Sequence, residues 1–425
     1  MSVEERWQTW LDAEQRRRLL TASFVADGHA AIYQQQRRAL DCHMNPPTIP
    51  LSGPSTALWE ASSADEWASL LEADPTAGIP AFVPPPEELT AESISRQTTL
   101  DRMAILGVEM LRLPRRQLRS ATSVSANNSP INEIESHTQH VGSQFDLDQH
   151  SQLQLSLQPD SQDPLSLEAE ERIASLYRQC PVANTFLALH HTPLHDLLAV
   201  GGDSWVFSQK VLPATSFHEH QKRLKLWAEQ HHQRTAGNNP GTHTSGIAGL
   251  SAARATVYAA RAIVLFLERT NTAGQTSGGI GMAPPWSTDL ADYWGLYVCA
   301  LICWAFGHRA RTSSTAAPMG DPRQQRHRSS SGGNSPVSAG GAGISSGAAT
   351  MAADEEVCGW LRMVAAPDVR VDDVLRMRGR REAGGVVGLV RRHLESDCIG
   401  GRSRLYVDAV GVLRKLEEGV NWKWF

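Results

Sequence analysis

What this chain of 425 residues lacks narrows its class before any motif is read. It has six cysteines, Cys42, Cys180, Cys299, Cys303, Cys358 and Cys398, and no Cys-x-x-Cys pair. So few thiols, so scattered, do not make a disulfide framework, and no Cys pair is followed by a His pair at zinc-finger spacing. Charge of one sign is missing too: the formal net charge is -5, which gives no electrostatic case for nucleic-acid binding. Residues Met1 to Arg18 carry Glu4, Glu5, Asp12 and Glu14 without an apolar run, which argues against a secretory signal there. The most apolar window, Tyr293 to Phe306, is too short to span a bilayer and reads as a buried helix. Alternating residues around Asn-Gly or Asp-Gly turns are absent, so hairpins are not expected.

What is present is helical periodicity, interrupted by polar tracts. Met1 to Leu40 reads as helix, with Trp7, Trp10, Leu11, Leu20, Phe24, Val25 and Ile32 near helical spacing. Asn45 to Pro54 holds four prolines and reads as an extended connector; Pro80 to Pro86 breaks the pattern again. Between them, Ser63-Ala64-Asp65-Glu66 resembles a helix start. Further helices are expected over Thr98 to Leu113, Leu167 to Val200, Phe217 to His232, Ser251 to Arg269 and up to Phe306, the last capped by Thr288-Asp289. Near the end, Glu355 to Met363, Val371 to Leu394 and Arg404 to Gly419 follow.

The polar tracts are short of side chains that could offset ordering entropy. Residues 119–166, rich in Ser, Gln and Asn, and residues 309–353, rich in Ser and Gly, therefore read as disordered insertions. They separate helical parts at 1–118, 167–308 and 354–425. The expected fold is all-α: an irregular helical domain with long disordered insertions.

Several motifs invite chemistry. His190, His191, His195, His218 and His220 are close in sequence. His191 and His195 stand four apart, as two zinc ligands on one helix would, but Pro193 lies between them and breaks that helix. A metalloprotease also needs Glu beside its first His, and Thr192 stands there. A helical metal-dependent hydrolase using His190, His191, His195 and Asp196 is thus the weaker alternative, beside a non-catalytic interaction scaffold. Gly201-Gly202-Asp203-Ser204 fits neither a phosphate loop nor a nucleophile elbow and reads as a turn. Cys299 and Cys303 share a helix face and read as small apolar residues in a packed helix. Arg323 to Arg328, and the arginines from Arg376 to Arg392, read as solvated charge.

Separate passages share a pattern. Near the start stands Arg6-Trp7-x-x-Trp10-x-x-x-Glu14-x-x-Arg17-Arg18-Leu19, continuing to Phe24 and Asp27. Pro50 through Trp59-Glu60-Ala61 and Trp67 follows. Later come His190-His191-Thr192-Pro193-Leu194-x-Asp196-Leu197-Leu198 with Gly202-Asp203-Ser204-Trp205, then His220-Gln221-x-x-Leu224-x-x-Trp227, and Ala300-Leu301-x-x-Trp304-Ala305-x-Gly307. Together they resemble the fungal-specific transcription factor regulatory domain found behind two-Cys two-His zinc fingers.

The resemblance implies an all-helical domain, a nuclear location, regulation of RNA polymerase II transcription and no catalysis. It implies transcriptional machinery or co-regulator proteins as partners, with a homodimer left open and no membrane. DNA would be met through an N-terminal domain missing from this chain, and zinc is expected only in those missing fingers, so no cofactor is expected here. The family-signature positions Trp7, Trp10, Glu14, Arg17, Arg18, His190, His191, Pro193, Asp203, Trp205 and Trp304 are expected to be structural.

Overall fold

A computed structural model describes residues 1–33, 48–113, 164–201, 205–206, 209–210, 214–229, 246–275, 290–307, 345–377, 381–396 and 404–418. Asp203, the Thr288-Asp289 cap, the Arg323 to Arg328 cluster and most of the two expected insertions lie outside the described residues; of Trp205 only the backbone is described.

The chain opens with α1 (Val3–Tyr33), whose buried residues Glu14, Thr21, Phe24 and Gly28 fall on one stripe. That stripe meets α3 (Ala64–Ala73) and α5 (Thr99–Leu111). Both begin where their sequence signals place them. Ser63 Oγ accepts the Glu66 N–H at 3.2 Å, and Thr98 Oγ1 accepts the Asp101 N–H at 3.2 Å. Short helices α2 (Thr56–Trp59) and α4 (Ala91–Ser95) fill the connections.

The two proline-rich connectors are not merely extended. Their tips pair as antiparallel strands, β1 (Pro50–Leu51) with β2 (Ala81–Phe82), Pro50 opposite Phe82. A second two-residue pair, β3 (Trp205–Val206) with β4 (Gln209–Lys210), follows later. Alternation cannot signal strands this short; the demand of main-chain polar groups for partners does not require it.

The helical patterning expected over Leu167 to Val200 is three helices: α6 (Pro164–Leu176), α7 (Pro181–His190) and α8 (Leu194–Gly201). Pro181 sits in the first turn of α7, where its missing N–H costs nothing, and Pro193 ends one helix before the next begins. Then come α9 (Ala214–Glu229), α10 (Gly246–Gln275), α11 (Leu290–Gly307), α12 (Ser345–Ala365), α13 (Val371–Arg376), α14 (Arg381–Glu395) and α15 (Arg404–Glu417).

Helix is present inside both expected insertion tracts. The tract at 119–166 ends early, because Pro164 opens α6, and the tract at 309–353 gives way to helix at Ser345. Ala352 and Ala353 are exposed, but alanine costs a helix least, so α12 extends N-terminally from its packed portion. Likewise α10 runs past Arg269 into the Gly-containing stretch as far as Gln275.

The core is centred on α11. From Leu296 to Phe306 no residue is more than 1% exposed. A helix apolar on every side needs neighbours on every side, and α7, α10, α14 and α15 supply them. Arg261 of α10 closes the end of α12 by donating to the carbonyls of Ala365 and Ala366 at 3.1 and 3.2 Å. One connected core runs from Tyr33 to Leu416, so the helical parts on either side of both insertions pack together. The fold is all-α, and no described helix is long and apolar enough to cross a membrane.

Candidate functional site

The histidine-rich segment is divided by Pro193. α7 ends at His190, and α8 begins at Leu194. His191 and His195 therefore enter different environments, and the quartet His190, His191, His195 and Asp196 does not form one site.

His191 points inward. Its Nε2 lies 2.8 Å from Glu170 Oε1 on α6, and the Tyr258 hydroxyl of α10 donates to the same oxygen at 3.0 Å. Arg254 stands 3.5 Å from the other oxygen. Burial alone would raise the Glu170 carboxyl. The hydrogen bond and charge of His191, the charge of Arg254 and the Tyr258 hydroxyl outweigh it and bring the carboxyl down to about 2. The Tyr258 hydroxyl is pushed well up by burial and by Glu170. Glu170 continues the buried stripe of Ile173 and Tyr177, at the place where an apolar residue is expected. His190 is half-buried, its ring edge-on to His191 at 5.2 Å.

His195 and Asp196 occupy the first turn of α8 and face α9. His220 Nδ1 lies 2.6 Å from Asp196 Oδ1. Arg223, one turn after His220, donates to the same oxygen through Nε at 3.0 Å and Nη2 at 2.8 Å. The His195 and His220 rings are 5.0 Å apart. His195 reaches solvent, while Asp196 and His220 keep 12% of their side-chain surface exposed. The His195 imidazole is held below its ordinary value by partial burial, then by the charge of His220; Asp196 opposes this and Arg223 adds to it. One donor atom from each of His195, Asp196 and His220 fits within 4.8 Å of the other two. Among the described residues this is the group of such donors that could hold a metal ion.

The N-terminal signature residues form a second polar cluster. Glu14 is buried and binds Arg17 at 2.8 Å and Arg18 at 2.9 Å along its own helix. It also accepts the Ser55 hydroxyl, while Arg18 donates to the Ser52 carbonyl at 3.1 Å and lies over the Trp59 ring. Trp10 packs against Trp67 with ring centroids 6.0 Å apart, and Trp7 joins the same apolar cluster. Pro193 is buried at the α7–α8 junction, and Trp304 is fully buried in α11. Cys299 and Cys303 are buried in that helix too; burial pushes the Cys299 thiol up to about 12, with the Thr185 hydroxyl 3.6 Å from its sulfur.

No family model, curated protein or solved structure matches this chain.

Sequence reasoning missed two partners. His220 was legible as one of five nearby histidines but not as the neighbour of Asp196, because 24 residues separate them. Arg223 gave a readable signal, standing three after His220 and so on the same helix face. Glu170, in the first turn of the helix expected from Leu167, is a buried acceptor.

Proposed function

We propose that this chain is the regulatory region of a fungal zinc-finger transcription factor. In this reading it acts in the nucleus on RNA polymerase II transcription, through contacts with co-regulator proteins or a ligand. Its DNA-binding fingers belong to a preceding part of the protein, and the chain carries out no catalysis.

One observation carries the reading. Four of the separate passages that resemble the family meet in pairs in space. Glu14 and Arg18 of the first passage hold Ser55 and Ser52 of the second, and Trp10 packs on Trp67. The third and fourth passages meet where Trp227 donates to the His191 carbonyl at 2.9 Å and where His220 and Arg223 surround Asp196. A chance likeness in scattered words has no reason to pair them. A family signature that preserves a fold does, because residues far apart in sequence must then suit each other.

The test is to tether the full chain to a heterologous DNA-binding domain and measure reporter output in a fungal cell. Activation or repression at least severalfold over the DNA-binding domain alone is expected. Output equal to that of the DNA-binding domain alone, with the fusion present in the nucleus, would overturn the reading.

A further inference from the structure

We propose that His195, Asp196 and His220 bind a zinc ion that clamps α8 to α9. The site includes the His220–Asp196 contact that also supports the regulatory reading, and it departs from the expectation that zinc belongs only to fingers elsewhere in the protein.

The donor set is the first argument. Two imidazoles and a carboxylate are ordinary zinc ligands, with bonds of about 2.0–2.2 Å. Around a tetrahedral ion such bonds place the ligand atoms about 3.3–3.5 Å from one another. Here the three donor atoms already lie within 4.8 Å of each other, so side-chain rotation alone can close the set. They come from two helices, and the exposed edge at His195 leaves room for water as a fourth ligand.

The second argument is a conflict among the hydrogen bonds. His220 Nδ1 stands 2.6 Å from Asp196 Oδ1 and 2.7 Å from Arg223 Nη2. Nδ1 can donate a proton to the carboxylate or accept one from the guanidinium, but not both. If it donates, the Arg223 N–H faces another N–H; if it accepts, two lone pairs face each other at hydrogen-bond distance. The protein groups alone leave one short contact unfavourable in either tautomer. A cation drawn to Asp196 and the imidazoles would displace Arg223 and remove the conflict.

Arg223 thus competes with the metal, and this separates a zinc site from a plain ion pair. A structural Asp196–Arg223 pair requires Arg223; a metal site is hindered by it. His218 offers an internal control, being an exposed imidazole two residues from His220 and outside the donor group.

The experiment uses the full chain, stripped with chelator and titrated with zinc chloride by calorimetry, and with cobalt(II) chloride by visible absorption. One equivalent of zinc should bind, and cobalt should give the intense visible bands of a tetrahedral site with imidazole ligands. His195→Ala, exposed and safe for folding, should weaken zinc by about tenfold or more, and His220→Ala likewise. His218→Ala should leave affinity unchanged. Arg223→Gln should tighten binding. The proposal is overturned if the folded wild-type chain takes up no zinc, if His195→Ala binds as wild type does, or if Arg223→Gln weakens binding. Because none of these readouts involves transcription, failure here leaves the reporter experiment to decide the regulatory reading separately.

Discussion

Trp227 of α9 donates its indole N–H to the backbone carbonyl of His191, 36 residues earlier, at 2.9 Å. That carbonyl sits at the junction where α7 has ended and α8 has not begun. The indole therefore both fills core volume and satisfies a junction. Trp227→Phe keeps most of the volume and removes this donor from the buried carbonyl, at a cost of about 1–3 kcal/mol. Trp227→Ala adds a cavity and should cost about 3–5 kcal/mol. Urea denaturation measures both, and a Phe variant as stable as wild type would show that the hydrogen bond contributes nothing.

The Glu170 carboxyl, lowered from 4.5 to about 2, makes stability depend on acid. A depressed carboxyl pKa stabilises the fold fully above the unfolded value. That contribution is lost as pH falls through the window from about 4.5 to about 2. The shift corresponds to about 3 kcal/mol at neutral pH. Glu170→Gln should remove this part of the pH dependence, flattening the fall in thermal midpoint between those limits, while lowering stability at neutral pH because His191 and Arg254 lose their buried anion. A wild type and a Gln variant with parallel pH profiles would contradict the assignment.

Asp101 holds the proline-rich connector to α5. Its carboxylate is fully buried and accepts the Ser52 N–H at 2.8 Å, the Ser52 hydroxyl at 2.9 Å and the Gly53 N–H at 2.6 Å. Both oxygens are needed as acceptors. Asp101→Asn keeps the shape but turns one acceptor into an NH2 that faces a backbone N–H. It should therefore destabilise about as much as Asp101→Ala, on the order of 2–3 kcal/mol. Chemical denaturation of the two variants side by side checks this. An Asn variant close to wild type would mean that a single accepting oxygen suffices.

Most of the fold was legible from local signals. Ser63 and Thr98 announced the starts of α3 and α5, Pro193 announced the break after α7, and the continuous apolar run to Phe306 announced the central helix. What stayed hidden were relations between distant segments. Asp101 and Glu170 look in sequence like acids in the first turn of a surface helix; only the folded chain shows them fully buried and bonded to residues far away. The candidate site was half visible for the same reason. His195 and Asp196 are adjacent, but what they can do depends on His220 and Arg223, delivered by the packing of α9 on α8. The strand pairs escaped because two residues carry no period.

Gly307, at the end of the central helix, lies directly against Ala383 of α14. A Cβ built there would stand 2.5 Å from the Ala383 Cβ and 3.3 Å from the Ala383 carbonyl carbon. Neither is the flexible end of a side chain, so nothing can swing aside; α11 and α14 would have to separate. Interiors are packed closely enough that such a shift spreads to the neighbouring contacts, here those of Val386, Val387 and Val390. Gly307→Ala should therefore destabilise by about 1–3 kcal/mol, although alanine favours helix over glycine by up to about 1 kcal/mol. The two effects have opposite sign, so the measurement decides between them. A lowered thermal midpoint places overpacking first. Pairing Gly307→Ala with Ala383→Gly should recover part of the loss, because the second change removes the methyl group that the first one meets. A stabilised Gly307→Ala variant would show that α11 and α14 stand further apart in solution than here.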